Sequence, residues 1–112
     1  MIKVSVIGSG NVGCHLIKLF YNSKGIELCE WYSRSLNFDK RVRVVNKLSD
    51  LNQADVYIIC VSDESISKVS NELTFNDKLV LHTSGSTPFH AINKKNKRGV
   101  FYPLQTFSKS KE

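Results

Sequence analysis

The feature that most restricts the fold of this chain is a glycine-rich turn near its beginning, Gly8-Ser9-Gly10-Asn11-Val12-Gly13. The turn follows the apolar run 3–7 and precedes apolar residues at helical spacing, so it joins a predicted strand to a predicted helix. In this setting Gly8 would allow a tight turn, Gly10 would let phosphates approach the backbone, and Gly13 would let the helix pack closely.

A helix that begins near Asn11 would direct its unpaired amides and the positive end of its dipole at a diphosphate. All six residues of the turn, 8–13, are therefore predicted to bind a dinucleotide. The alternative interpretation is a strand-to-helix turn that holds no ligand.

Strand and helix signals alternate along the chain, which is typical of parallel strands joined by crossover helices. The predicted fold is α/β, a Rossmann-like doubly wound and mainly parallel sheet with helices on both faces. After a first helix that ends near 23–25, strands are predicted over 26–32, 42–45, 55–61, 78–82 and 100–102. Short turns or helices are predicted over 49–53, from 62 or 63 to 73, and over 87–93.

A length of 112 residues predicts one domain, with the Rossmann-like part over 1–107 and a polar tail over 108–112. The hydrophobic fraction of 41% and the charged fraction of 23% are typical of globular proteins, and no apolar tract is long enough to span a bilayer. The first residues predict a strand instead of a signal sequence, so a cytoplasmic location without membrane partners is expected.

The three cysteines, Cys14, Cys29 and Cys60, lack the short spacings of zinc sites and redox pairs, so no metal site is predicted. They are interpreted as buried thiols, with a catalytic cysteine as the alternative.

An excess of basic residues, with a net charge of +6, suits an anionic ligand without identifying it. The basic residues cluster at 40–43 and 94–98 without interleaved aromatic residues. Solvated surface charge is the favoured interpretation, and nucleic-acid binding is the alternative.

The second predicted strand ends at Ser33-Arg34-Ser35, where NAD-binding domains usually place an acidic residue that holds the ribose hydroxyls. A guanidinium and two hydroxyls would instead suit the additional phosphate of NADP, so NADP is preferred over NAD. Glu30 is the competing acid, but the strand phase places it two or three positions too early. Arg41 and Arg43 are expected to supplement Arg34, and a surface charge is the alternative role for Arg34.

Residues that directly follow parallel strands lie at the edge of the sheet where ligands bind. Val61 and Ser62 follow the fourth strand and are predicted to contact the cofactor. His82 and Ser84 belong to the next strand end and are the candidate catalytic residues, because an imidazole can exchange a proton near neutral pH. A structural histidine bonded to backbone is the alternative for His82. Segment 102–107 follows the last strand and is also rich in hydrogen-bonding groups.

The glycine turn, His82-Thr83-Ser84-Gly85-Ser86 and segment 101–108 together resemble the N-terminal Rossmann-like domain of a bacterial family described as NADP oxidoreductases. Pyrroline-5-carboxylate reductase, prephenate dehydrogenase and deazaflavin-dependent NADP reductases are its broader relatives. The resemblance implies that the glycine turn and 33–35 serve the cofactor. It also implies a following helical domain, absent from these 112 residues, that closes the substrate pocket and forms a homodimer.

The predicted function is therefore an NADP-binding domain of an oxidoreductase that moves hydride between nicotinamide and a small carbonyl or imine substrate, inactive without the helical domain. A non-catalytic nucleotide-binding or sensing module is the main alternative. A methyltransferase that uses S-adenosylmethionine is disfavoured because the ribose-binding acid is missing.

Overall fold

The computed structural model describes residues 1–36, 38–51 and 54–101. These residues form one six-stranded sheet with two α-helices, and every strand pair is parallel. The elements are β1 (Ile2–Ile7), α1 (Asn11–Tyr21), β2 (Ile26–Tyr32), β3 (Arg43–Val45), β4 (Val56–Ile59), α2 (Ile66–Glu72), β5 (Leu79–His82) and β6 (Lys97–Val100).

The strands lie in the order β3-β2-β1-β4-β5-β6. The chain therefore runs outward from β1 on one side, returns to β1's other side at β4, and then runs outward again. This reversal between β1 and β4 is the topological switch point of a doubly wound sheet, where ligands bind beyond the carboxyl ends of the strands. The predicted α/β Rossmann-like fold is confirmed.

Two apolar cores cover the two faces of the sheet. On one face α1 buries Leu16, Ile17 and Phe20 against β1, β2 and β4. On the other face α2 buries Ile66, and Leu73 follows just after the helix. Both pack against Tyr57 and the other strand residues whose side chains point to this face. Because successive residues of a strand point to opposite faces, a nearly continuous apolar run such as β4 supplies both cores at once.

The segment predicted to be a helix over 87–93 forms only one 3₁₀ turn, Phe89–Ala91. An α-helix would need the Asn93 amide to donate to the Phe89 carbonyl, but this amide donates to Ser70 Oγ at 2.7 Å. The Ala91 carbonyl accepts from Ser67 Oγ at 2.9 Å. Side chains of α2 therefore take the hydrogen bonds that would have extended the turn.

The last strand begins earlier than predicted. It covers Lys97–Val100 instead of 100–102, because the Lys97 amide donates to the Lys78 carbonyl and the strand continues from there beside β5. Part of the basic cluster at 94–98 thus lies in an edge strand. Segment 102–112, which contains the predicted site segment and the polar tail, lies outside the described residues, as do 37, 52 and 53.

Candidate functional site

The glycine turn leaves β1 at Gly8, which has a φ of +122°, a backbone conformation that favours glycine. Strand β2 holds both backbone groups of this residue. The Gly8 amide donates to the Tyr32 carbonyl at 2.9 Å, and the Gly8 carbonyl accepts from the buried indole nitrogen of Trp31 at 2.8 Å. Trp31, at the end of β2, is therefore a positioning residue for the turn that sequence reasoning missed.

The three glycines of the turn have different surroundings. A Cβ on Gly8 would lie 2.7 Å from the Cys60 carbonyl oxygen, and one on Gly13 would collide with the Gly8 carbonyl oxygen. At Gly10, by contrast, a Cβ would meet no atom within 4 Å. Gly8 and Gly13 therefore serve close packing, whereas the exposed Gly10 borders open space in which a ligand could approach the backbone.

Helix α1 begins directly at this open space. Gly10 is its N-cap residue, and its carbonyl accepts the first helical bond from the Cys14 amide at 3.0 Å. The amides at the start of a helix have no partner within the helix, and the helix dipole adds a partial positive charge there. Asn11 is exposed at this end, whereas Val12 packs against the core beneath it. The residues and the space fit a phosphate group.

The Ser-Arg-Ser segment lies beside the turn. Ser9 Oγ and Ser35 Oγ are 3.4 Å apart, which joins the loop after β1 to the loop after β2. Arg34 is exposed. Ser33 differs from the prediction, because its side chain is fully buried and its Oγ accepts a hydrogen bond from the Leu36 amide. The Ser33 side chain therefore stabilises the loop conformation and does not face the surface at which a ligand would bind.

A cleft of about 340 Å³ opens next to Arg34, between the end of β2 and helix α2. A second cation, Lys68 of α2, also lines it, as do the predicted Val61 and the hydroxyl-bearing Ser65. Sequence reasoning missed Lys68 because nothing in its neighbourhood in the chain connects it to position 34. The remaining residues that line the cleft are Tyr32, Leu48, Val69 and Glu72.

The expectation that Arg41 and Arg43 supplement Arg34 is not supported, since both have carboxylate partners within the fold. Arg41 contacts Asp39 and Arg43 contacts Glu30, each at 2.8 Å. Glu30 itself is buried inside the sheet, and Ser5 Oγ donates to it at 3.0 Å. The strand-phase argument that placed Glu30 away from the cofactor agrees with this position.

At the carboxyl end of β4, Ser62 is exposed and donates its hydroxyl hydrogen to Ser65 Oγ at 3.0 Å. A 3₁₀ turn, Asp63–Ser65, follows and leads into α2. Ser62 thus lies at the carboxyl end of β4, between β1, which carries the glycine turn, and β5. Its contact with a ligand that spans this edge of the sheet remains a prediction.

His82 ends β5 and is fully buried. Its Nδ1 accepts from the Ser84 amide at 3.1 Å, which places the ring hydrogen on Nε2, and Nε2 donates to the Pro88 carbonyl at 3.0 Å. Both nitrogens are used by backbone groups in this arrangement. The contacts agree with the structural alternative for His82, while its catalytic role and that of Ser84 stay predictions.

The cysteines differ from the prediction that all three are buried thiols. Cys14 is exposed, Cys29 is half-buried and only Cys60 is buried. Burial raises the pKa of the Cys60 thiol to about 12, so this thiol stays protonated at neutral pH and is a poor nucleophile.

Cys60 is accordingly expected to react with a maleimide on the order of 10²–10³-fold more slowly than Cys14 in the folded protein, because burial withholds both access and the thiolate. Mass spectrometry of timed labelling reactions would measure this, with Cys14→Ser removing the fast phase. Labelling of Cys60 at the rate of Cys14 under native conditions would contradict the burial.

Within 1–36, 38–51 and 54–101, no group of three or more His, Cys, Asp or Glu side chains could hold a metal ion. No helix among those residues is both long and apolar enough to cross a bilayer. In the two basic clusters, Lys95 and Arg98 donate to the carbonyls of Leu73 and Ile92, as Arg41 and Arg43 bind carboxylates. These four cations are part of the fold's internal bonding.

No family model and no curated protein matches this chain. Among solved structures it is similar to biliverdin reductase from Synechocystis sp. PCC 6803, determined in complex with biliverdin and NADP+. The TM-score is 0.64 at 16% sequence identity, and the match covers 98% of this chain but 35% of that one. The likeness shows a Rossmann-type fold, in a chain that spans about a third of that reductase; membership of the bacterial family that the sequence resembles stays a prediction.

Proposed function

We propose that this chain is the NADP-binding domain of an oxidoreductase that acts on a small carbonyl or imine substrate. The observation that carries the proposal is the open space at Gly10, at the start of α1, together with the cleft after β2 that two cations, Arg34 and Lys68, and one carboxylate, Glu72, line. NADP needs both features, because its pyrophosphate would bind the amides at the start of α1 and its 2′-phosphate would lie at the end of β2.

The turn at 8–13 would hold the pyrophosphate through backbone amides, so no lysine is needed there. Arg34 and Lys68 would face the 2′-phosphate from opposite sides of the cleft, and Ser35 would add a hydroxyl. Bound NADP would supply or accept the hydride. The similar reductase was determined with NADP+, which supports the choice of coenzyme without extending its substrate to this chain.

We expect NADPH to bind about 10- to 100-fold more tightly than NADH, because charge-assisted hydrogen bonds to the added phosphate contribute about 1.5–3 kcal/mol. Arg34→Ala should remove most of this difference and Lys68→Ala a smaller part. Fluorescence titration of NADPH and NADH into each variant measures this difference in affinity. Lys24→Ala is the matched control, since it removes the same charge beyond the far end of α1. Equal affinities in the unmutated protein would overturn the NADP assignment.

One observation favours a second candidate, a nucleotide-binding module without turnover: both nitrogens of His82 are bonded to backbone groups. Oxidation of NADPH that depends on an added carbonyl or imine compound would support the oxidoreductase. Binding of NADPH without turnover over a broad panel would support the module when the chain is joined to a helical domain of the family it resembles, since the chain alone is expected to be inactive in either case. A thermal-shift series with NADP, NAD and S-adenosylmethionine separates both from a methyltransferase, which would be stabilised by the last compound alone.

A further inference from the structure

Three side chains at the carboxyl ends of β4 and β5 form a continuous hydrogen-bonded chain. Ser86 Oγ donates to Asp63 Oδ2 at 2.9 Å, and Ser84 Oγ lies 3.2 Å from Ser86 Oγ. The Ser86 amide also donates to Ser84 Oγ at 3.3 Å. The chain joins the loop after β4 to the loop after β5, and we call it the acceptor chain for the property derived next.

Asp63 determines the direction of every hydrogen bond in the acceptor chain. A carboxylate only accepts, and each serine hydroxyl has a single hydrogen to donate. Since the hydrogen of Ser86 is given to Asp63, the bond between the two serines requires Ser84 to donate to Ser86. The hydrogen-bonding capacity that remains on the three side chains is therefore made of acceptors only.

The buried His82 side chain holds the loop that carries Ser84 and Ser86. Its two ring nitrogens bond to the Ser84 amide and to the Pro88 carbonyl, and so span the loop that carries both serines. Asp63 and Ser86 are exposed and Ser84 is half-buried, so a ligand at the sheet edge can reach the chain. A site that is braced in this way is oriented before its ligand arrives, which lowers the cost of binding.

The acceptor chain lies where the proposed function requires the nicotinamide half of the coenzyme. With the pyrophosphate at the start of α1, between β1 and β4, and the adenosine half beside Arg34 after β2, the other half must extend over β4 and β5. A nicotinamide carries a carboxamide with two N–H donors. We infer that Ser84, Ser86 and Asp63 accept hydrogen bonds from this carboxamide and thereby select the orientation of the ring.

This inference rests on the proposed function and changes the role predicted for Ser84. In the acceptor chain Ser84 has no hydrogen to offer a substrate carbonyl, so it is a positioning residue for the coenzyme. Asp63 and Ser86, which belong to the strand-end segments 61–63 and 82–86 that the sequence places at this edge of the sheet, become members of the site.

The test compares NADP+ with its 3-acetylpyridine analogue by calorimetry. The analogue has a methyl ketone in place of the carboxamide, and so keeps the carbonyl but lacks the N–H donors. The protein is expected to bind NADP+ about 3- to 10-fold more tightly than the analogue, the effect of one hydrogen bond. In Ser86→Ala and in Asp63→Ala the ratio should fall to about one, because a serine hydroxyl hydrogen, that of Ser84 or of Ser86, is then able to be donated to the ketone.

Glu64→Gln is the matched control, since it removes the neighbouring exposed carboxylate charge and should leave the ratio unchanged. A ratio that is unaltered in both test variants, or that falls equally in the control, would overturn the inference. Equal binding of NADP+ and analogue by the unmutated protein would also overturn it, while leaving the proposed function intact. If the unmutated protein bound neither compound, both proposals would fail together.

Discussion

Gly10→Ala is expected to leave the protein about as stable as before and to weaken NADPH binding more than 100-fold, roughly the loss of two hydrogen bonds to a charged phosphate. The physical reason is that the new methyl group would meet no protein atom within 4 Å but would occupy the open space at the start of α1. Gly10 has a φ of −72°, which alanine adopts without strain. The change in unfolding free energy should stay within about 1 kcal/mol.

Gly13→Ala is the matched comparison, and its expected result is the opposite. Its methyl group would collide with the Gly8 carbonyl oxygen, which Trp31 holds in place, so α1 would have to move away from the sheet. Overpacking of this kind costs about 3 kcal/mol or more, which lowers the melting temperature by roughly 10–20 °C.

Thermal denaturation followed by circular dichroism and calorimetric titration with NADPH measure the two variants side by side. Unchanged affinity in a folded Gly10→Ala protein would show that phosphates do not approach the backbone there, and the proposed site would be wrong. A Gly13→Ala protein as stable as the parent would contradict the close helix packing.

The parts of the fold that local patterns specify were predictable. Strand β2 covers Ile26–Tyr32, the predicted residues, because an extended run bounded by a turn leaves little freedom in its limits. The glycine turn was equally clear, since three glycines at this spacing between a strand and a helix are a local pattern. The Gly8 carbonyl that Gly13 meets lies five positions earlier, whereas the Cys60 carbonyl that Gly8 meets directly follows β4 and has no local signal.

The parts that depend on distant partners were not predictable. Residues 87–93 have a helical pattern, with proline at a suitable start, but Ser67 and Ser70 of α2 compete for the hydrogen bonds. These serines lie more than twenty positions earlier, at separations of 24 and 23 residues from their partners. No local signal shows which side chains will face a given backbone group.

The candidate site shows the same division. Arg34 was a candidate because domains of this fold place a cofactor-contacting residue after the second strand. Lys68 was missed because only the packing of α2 brings it to the same cleft. Arg41 and Arg43 resemble a phosphate-binding cluster in sequence, yet each pairs with a carboxylate. Arg41 pairs with Asp39 in the same loop, and Arg43 pairs with Glu30 of β2, which only the fold brings to it.

The ion pair within the sheet leads to the second large expected effect. Arg43→Ala should destabilise the protein by about 2–4 kcal/mol, because it removes the cation from a carboxylate whose side chain is only 1% exposed. Ser5, Glu30 and Arg43 are aligned across β1, β2 and β3, so the damage falls where the edge strand β3 joins the rest of the sheet. The expected value is below that of a fully buried pair because the Arg43 side chain is 55% exposed.

Arg41→Ala provides the control, since its contact with Asp39 has the same 2.8 Å length but its carboxylate is 12% exposed instead of 1%, and pairs in which both charges reach solvent contribute about 0–1 kcal/mol. Urea denaturation of both variants measures the difference. Glu30→Gln in the Arg43→Ala background should restore part of the loss, because a neutral amide can keep the bond from Ser5 without a buried charge. If the two arginine variants proved equally stable, burial of the Glu30 carboxylate would not be what gives the Arg43 pair its strength.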